Sequence, residues 1–162
     1  LYSPLTERTD LIQTHGNKWG VEILRAYIEL IYQNMKKHKA DSALITHTAN
    51  PYFADVVDIL RLNDLDGNCQ DVLGVMRNRA KIASMCNPNW LIDTDNDLMI
   101  DKDRWRKYIQ LQPELGIPDT YYISAIANSH EVFDTDDYEL LRQIWTAYRE
   151  RIYQKNGVVA SD

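Results

Sequence analysis

Apolar and polar positions along this chain fall into one pattern four times over. A run of apolar and β-branched residues stops in a polar cluster. Ala43-Leu44-Ile45 ends in Thr46-His47-Thr48, and Ile59-Leu60-Arg61-Leu62 ends in Asn63-Asp64. Trp90-Leu91-Ile92 ends in Asp93-Thr94-Asp95-Asn96-Asp97. Tyr121-Tyr122-Ile123 ends in Ser124, with Asn128 and His130 soon after. Segments of helical period separate the runs. Buried parallel strands read this way when their C-terminal ends face a site. In barrels and open α/β sheets alike, the chemistry sits at those ends.

The helices follow from spacing and punctuation. From Gly20 to Lys37, Val21, Leu24, Ile28, Ile31 and Met35 recur at three and four residues, and Ile23, Tyr27 and Leu30 widen the stripe. Asn50-Pro51 is a helix start, with Asn as cap and Pro in the first helical position, and predicts a short helix over residues 52–58. The next helix runs from Gln70 to Met85, with Val72, Val75, Met76, Arg79, Ile82 and Ala83 on one side. Asp101 caps another through about Leu115, with Trp105, Tyr108, Ile109 and Leu115 inward. Gly116 stands as its C′ residue, and Pro118 prevents continuation. Thr120 to Ala125 is the fourth strand. A last helix opens at Asp134–Asp137 and carries an aromatic stripe, Tyr138, Leu141, Trp145, Tyr148 and Ile152, expected to be core. The order is one helix and then four β–α units. It predicts a single α/β domain over residues 19–156, between a polar loop at 1–18 and a tail at 157–162. The chain opens on Leu1 in mid-loop, which reads as a cut from something longer.

Bulk properties narrow the partners. The 162 residues suffice for one domain with a core, and the 44% apolar and 26% charged fractions are those of a globular protein. A net charge of -6 argues against nucleic acid or an anionic membrane surface as partner. The one basic cluster, Lys36-Lys37-His38-Lys39, is the solvated C-terminal turn of a helix. No apolar stretch approaches the roughly 18–20 residues of a membrane span. Cys69 and Cys86 bracket one helix that holds them roughly 25 Å apart, beyond disulfide reach. Such cysteine usage suggests a reducing, cytoplasmic compartment.

Four parallel strands make either a small open sheet or half of an eight-stranded barrel. An open sheet commonly carries a glycine-rich phosphate turn after its first strand. The turn here is Thr46-His47-Thr48-Ala49-Asn50-Pro51, and the six glycines never approach G-x-G-x-x-G. No dinucleotide cofactor is expected. A complete barrel needs about 250 residues, so at most half of one is present.

Several groups can carry chemistry. Asp64 stands just past a strand end, three residues after Arg61, and can serve as a general acid if burial raises its pKa; the plain alternative is a turn or capping Asp. Arg61 and Asn63 share a side by strand alternation. Asp93, Asp95 and Asp97 resemble the start of a calcium loop, but the sixth position is Leu98 and the twelfth Arg104, where that loop needs Gly and Glu. An aspartyl-phosphatase reading of the same acids fails because Asp97 stands where Thr or Val belongs. The acids are then substrate-binding groups or a solvated turn. His47, flanked by Thr46 and Thr48, can hydrogen-bond a polar ligand or serve as a structural His. No second His or Cys lies at metal spacing, so no metal site is expected. Ser124 lacks the G-x-S-x-G elbow of a serine nucleophile.

Taken together, Trp19-Gly20-Val21-Glu22-Ile23-Leu24, Leu44 to Phe53, Asp58-Ile59-Leu60-Arg61-Leu62-Asn63-Asp64 and Asn89 to Asp95 resemble the second half of the catalytic barrel of α-galactosidase-like retaining glycoside hydrolases. The resemblance spans about Trp19 to Ile126. It implies that the four strands are the fifth to the eighth of a (β/α)8 barrel. It implies further that Asp64, in an Arg-x-x-Asp pattern, is the acid/base. Arg61, His47, Asn63, Trp90, Asp93 and Asp95 would line the sugar site. In that family the nucleophilic Asp follows the fourth strand, which would precede Leu1. Retaining hydrolysis needs two carboxylates about 5–5.5 Å apart, so this chain alone is expected to be inactive. A half-barrel also leaves strand edges at 43–46 and 120–125, which invites a homodimer or a missing N-terminal half as partner. The rival reading is a non-catalytic α/β module that binds a small polar ligand or a partner chain.

Overall fold

Capping residues and helical period place most helices where the sequence predicts them. A computed structural model describes residues 20–47, 49–62, 64–65, 68–95 and 99–155. The N-terminal loop, the tail, Asn63 and Asp97 lie outside these residues. Helix α1 spans Gly20–His38, with Glu22 in its first turn and Lys36, Lys37 and His38 in its last, as the helix dipole favours. Helix α2 spans Val72–Cys86, α3 Lys102–Leu115 and α4 Thr135–Lys155. Strands β1 (Ile45–Thr46), β2 (Ile59–Arg61) and β3 (Leu91–Asp93) form a three-stranded sheet in the order β1-β2-β3. β1 and β2 are parallel, with Ile45 opposite Ile59 and Thr46 opposite Leu60. The architecture is α/β. The chain sorts into two compact units.

One unit holds the described residues up to Leu60 together with Ala83–Trp90. The helix expected over residues 52–58 is a single 3₁₀ turn, Pro51–Phe53. It starts as predicted: Pro51 opens it and Asn50 Oδ1 accepts from the Tyr52 N–H at 2.9 Å. Val56 and Val57 are buried beyond it, so the chain leaves helical geometry to pack rather than to continue. Asp58 ties α1 to the sheet. Its carboxylate accepts from the Leu44 N–H at 2.8 Å, from Lys36 Nζ at 3.1 Å and from the Tyr32 hydroxyl at 3.4 Å. Arg25 of α1 adds a two-pronged pair to Asp55, at 2.8 and 2.7 Å. Ile28 is buried, whereas Tyr27 and Leu30, expected to widen the inward stripe, face solvent.

The other unit holds Arg61–Ile82 and the described residues from Leu91 onward. Helix α3 is the most buried helix of the unit, with Trp105, Tyr108, Ile109, Leu111 and Gln112 inside. Asp101 caps it as predicted, Oδ1 accepting from the Arg104 N–H at 2.8 Å. Gly116 ends it, though not in the left-handed conformation that a C′ glycine commonly takes; its φ is 173°. Glycine is required there by close approach, since a Cβ would lie 2.2 Å from the Ile92 carbonyl oxygen. Helix α4 opens on a reciprocal cap. The Asp134 N–H donates to Asp137 Oδ2 at 2.9 Å, and the Asp137 N–H donates to Asp134 Oδ1 at 3.1 Å. Lys102 and Arg106, one turn apart on α3, grip both acids. The aromatic stripe of α4 is not the expected core: Leu141 is buried, but Tyr138 and Trp145 are exposed.

The fourth predicted strand, Thr120–Ala125, is absent among the described residues. After Gly116 the chain touches β3 through one parallel bridge, Asp93 opposite Ile117. The Ile117 N–H donates to the Ile92 carbonyl at 2.7 Å and the Thr94 N–H to the Ile117 carbonyl at 3.2 Å. The next ladder bond would end on the Thr94 carbonyl. That oxygen already accepts from the Tyr108 hydroxyl and from Gln112 Nε2, both at 2.7 Å. Gln112 Nε2 also donates to the Asp119 carbonyl at 2.6 Å, so its amide stands between the two chains. Tyr121, Tyr122 and Ile123 consequently face solvent.

Two predictions follow from this packing. Gly116→Ala should cost about 1–3 kcal/mol by overpacking against β3, read as a lower urea midpoint with unchanged slope; an unaltered midpoint would count against the close approach. The second concerns acid. The hydrogen bond from Lys102 holds the Asp134 carboxyl down to about 2, below the roughly 3.9 of an unfolded Asp. The unfolded chain therefore binds more protons between these values. The stabilisation is complete above pH about 4 and is lost as pH falls toward 2. Wild type and Asp134→Asn should differ in denaturant stability near neutral pH and converge in strong acid; a gap that persists there would remove this pair as the cause.

Candidate functional site

Strand ends bring three of the expected residues together. Arg61 closes β2, and Asp95 follows β3 by two residues. The Leu62 N–H donates to the Asp93 carbonyl at 2.9 Å, which sets the two strand ends level. The Arg61 guanidinium hydrogen-bonds Asp95 Oδ2 and lies 3.5 Å from Asp64 Oδ1, both through Nη2. It also sits over the Tyr121 ring, 5.3 Å from the centroid. One cation thus joins two carboxylates and an aromatic face.

The two carboxylates differ in setting. The Asp95 side chain is 1% exposed and that of Arg61 19%. A buried carboxylate is tolerated only when a cation and good hydrogen bonds offset its lost hydration. The Asp64 side chain is 49% exposed, and its carboxylate is the one presented to solvent. Its backbone is fixed from α2, where Arg79 Nη1 donates to the Asp64 carbonyl at 3.1 Å. Asp95 is an anchor for Arg61, and Asp64 is the reachable acceptor.

Asp93 is half-buried on β3, and its charge acts on α3: burial first, and Asp93 second, push the Tyr108 phenol well above its ordinary value. Tyr108 is therefore a hydrogen-bond donor to Thr94 and no proton shuttle. Asn63 lies outside the described residues. His47 and Trp90 belong to the first unit. His47 is half-buried just after β1. Trp90 is 6% exposed, and its indole N–H donates to the Val57 carbonyl at 3.0 Å. Its ring is core, and it is not offered as a stacking surface. Tyr121 was not anticipated at the site, since a Tyr-Tyr-Ile run looks the same whether it is a buried strand or an exposed loop.

Among the described residues no group of three or more His, Cys, Asp or Glu could hold a metal ion, and no helix is long and apolar enough to cross a membrane. Comparison with known protein families, with curated proteins and with solved structures returns no match.

Removing the Arg61 side chain would strand the Asp95 carboxylate in a dry site. Arg61→Ala should lower stability by about 3–5 kcal/mol, measured by urea unfolding. Asp64→Asn, at the exposed end, should cost under about 1 kcal/mol. Equal effects of the two would contradict the division into anchor and reachable acid.

Proposed function

We propose that this chain is the carbohydrate-recognising part of a glycoside-hydrolase-like α/β protein, with the sugar bound where Arg61, Asp64, Asp95 and Tyr121 meet. The observation that carries the reading is the Arg61 guanidinium, which joins an exposed carboxylate, a buried one and an exposed aromatic ring. Sugar hydroxyls are matched by charged donors and acceptors held in fixed positions, and sugar C–H faces by an aromatic face. Arg61 donates, Asp64 accepts, and Asp95 holds Arg61 in place. Tyr121 supplies the apolar surface.

In an assembled (β/α)8 barrel, Asp64 takes the acid/base role and β1, β2 and β3 are neighbouring strands of its second half. The strand order β1-β2-β3 and the single Ile117 bridge beyond β3 are consistent with that order. The nucleophile belongs to a strand outside these residues, so the chain alone binds sugar without turning it over. Its partner is a second copy or an N-terminal half-barrel, reached through β1, which among the described residues pairs only with β2 and exposes Ile45.

Calorimetric or NMR titration with galactose and glucose tests the reading. Binding is expected, weakened about tenfold or more in Asp64→Asn for the loss of a charge-assisted acceptor. Aryl α-galactosides and α-glucosides should stay intact with the purified chain. Turnover that Asp64→Asn abolishes would overturn the inactive-alone reading, and no binding of either sugar would overturn the site itself.

A further inference from the structure

Charge at the Arg61 site does not balance. One guanidinium nitrogen, Nη2, serves both Asp95 and Asp64, so a single cation faces two carboxylates. Their shares are unequal. The buried Asp95 takes the closer pair, and Asp64 stands at 3.5 Å, the outer limit of a hydrogen bond. Burial holds Arg61 to Asp95, since parting them would leave a charge in a dry site. The excess negative charge therefore rests on Asp64, whose side chain is half in water.

Arg79, which reaches this segment from α2, does not change the balance. Its Nη1 donates to the Asp64 main-chain carbonyl at 3.1 Å. Its charge is set against that of Asp93 further in, where the two act on the Tyr108 phenol in opposite directions. The chain as a whole adds to the same sign, with a net charge of -6. A field of that sign draws cations toward an exposed carboxylate and turns anions away.

An ionised carboxylate only accepts hydrogen bonds, so the ligand group set against Asp64 must donate. A hydroxyl donates and stays neutral. An ammonium brings three donors, no acceptor and the missing charge. A carboxylate on the ligand would meet like charge.

We infer that the preferred ligand is an amino sugar, its ammonium set on the Asp64 carboxylate. The inference names the ligand class of the Arg61 site and rests on the carbohydrate reading of that site. Neutral sugars bind there through hydroxyls and forgo the charge pairing. N-acetylation of the amine removes the advantage, and uronic acids are disfavoured.

NMR titration of the full chain, in low-salt and mildly acidic buffer that keeps the amines protonated, tests this. The probes are glucose, galactose, their 2-amino and 2-acetamido forms, and glucuronate. At least one amino sugar should bind about two- to fivefold tighter than its parent, the worth of one exposed ion pair. The acetamido sugars should show no gain, and glucuronate should bind more weakly than glucose. Asp64→Asn should bring the amino sugar and its parent to equal affinity, whereas Asp64→Glu, which keeps the charge, should retain part of the gain. The gain should also shrink as salt rises from about 0.01 M to about 1 M and the Debye length falls from about 30 Å to about 3 Å. Equal affinities for amino and parent sugars, or a gain that survives Asp64→Asn, would overturn the ammonium contact and leave the sugar site standing. Ethanolamine carries the amine and a hydroxyl without the ring; if it binds as tightly as the amino sugars, recognition of a sugar is overturned. Failure of every sugar to bind would overturn both readings.

Discussion

One carbonyl decides where the sheet of this protein stops. The Thr94 oxygen, just past β3, accepts from the Tyr108 hydroxyl and from Gln112 Nε2, both on α3. Two donors on one buried carbonyl fix the end of the strand to the helix more firmly than ladder hydrogen bonds alone would. They also use the oxygen on which a longer fourth strand would have to pair. From this single occupation follow a sheet that narrows to one bridge at Ile117 and an exposed stretch at Tyr121–Ile123. Asp95, the next residue, is held in position for Arg61.

The Arg61–Asp95 pair then carries a second constraint. A buried ion pair is weak evidence for stability, because desolvation of both groups offsets much of their attraction. Its value here is geometric. With Asp95 buried, the guanidinium cannot turn outward without stranding a charge, and so it stays over Tyr121 and beside Asp64. A site that must match hydroxyl directions gains from such a donor, since little rotamer freedom remains to be lost on binding.

What could be read from the sequence divides along the range of the forces involved. Local chemistry is legible: Asn50-Pro51 opens a helical turn, Asp101 caps α3, and the acids at Asp134–Asp137 open α4. The strand-end position of Arg61 and Asp64 is legible because a polar cluster follows an apolar run. The failures are all non-local. Tyr121-Tyr122-Ile123 has strand composition and no strand, because side chains from α3 take the ladder position. Trp90 is core, with its N–H bonded to the Val57 carbonyl, a packing that no local signal announces. Gly116 ends α3 as its place in the sequence predicts, but the need there is for space against Ile92, not for a left-handed turn. The period of α4 predicts a buried stripe, yet α4 is bound to α3 mainly through Asp134 and Asp137, so its aromatics need not be covered.

The balance between two uses of the sheet's end can be argued from hydrogen bonds alone. An unpaired strand edge is costly only while its N–H and C=O groups seek partners, and that demand is what drives pairing with another chain. Among the described residues, β1 has only β2 beside it. Between Asp119 and Ser124, side chains and one short loop have met most of the acceptor demand already. Backbone demand is therefore largely met between Asp119 and Ser124, and what that stretch exposes is side chains, Tyr121, Tyr122 and Ile123.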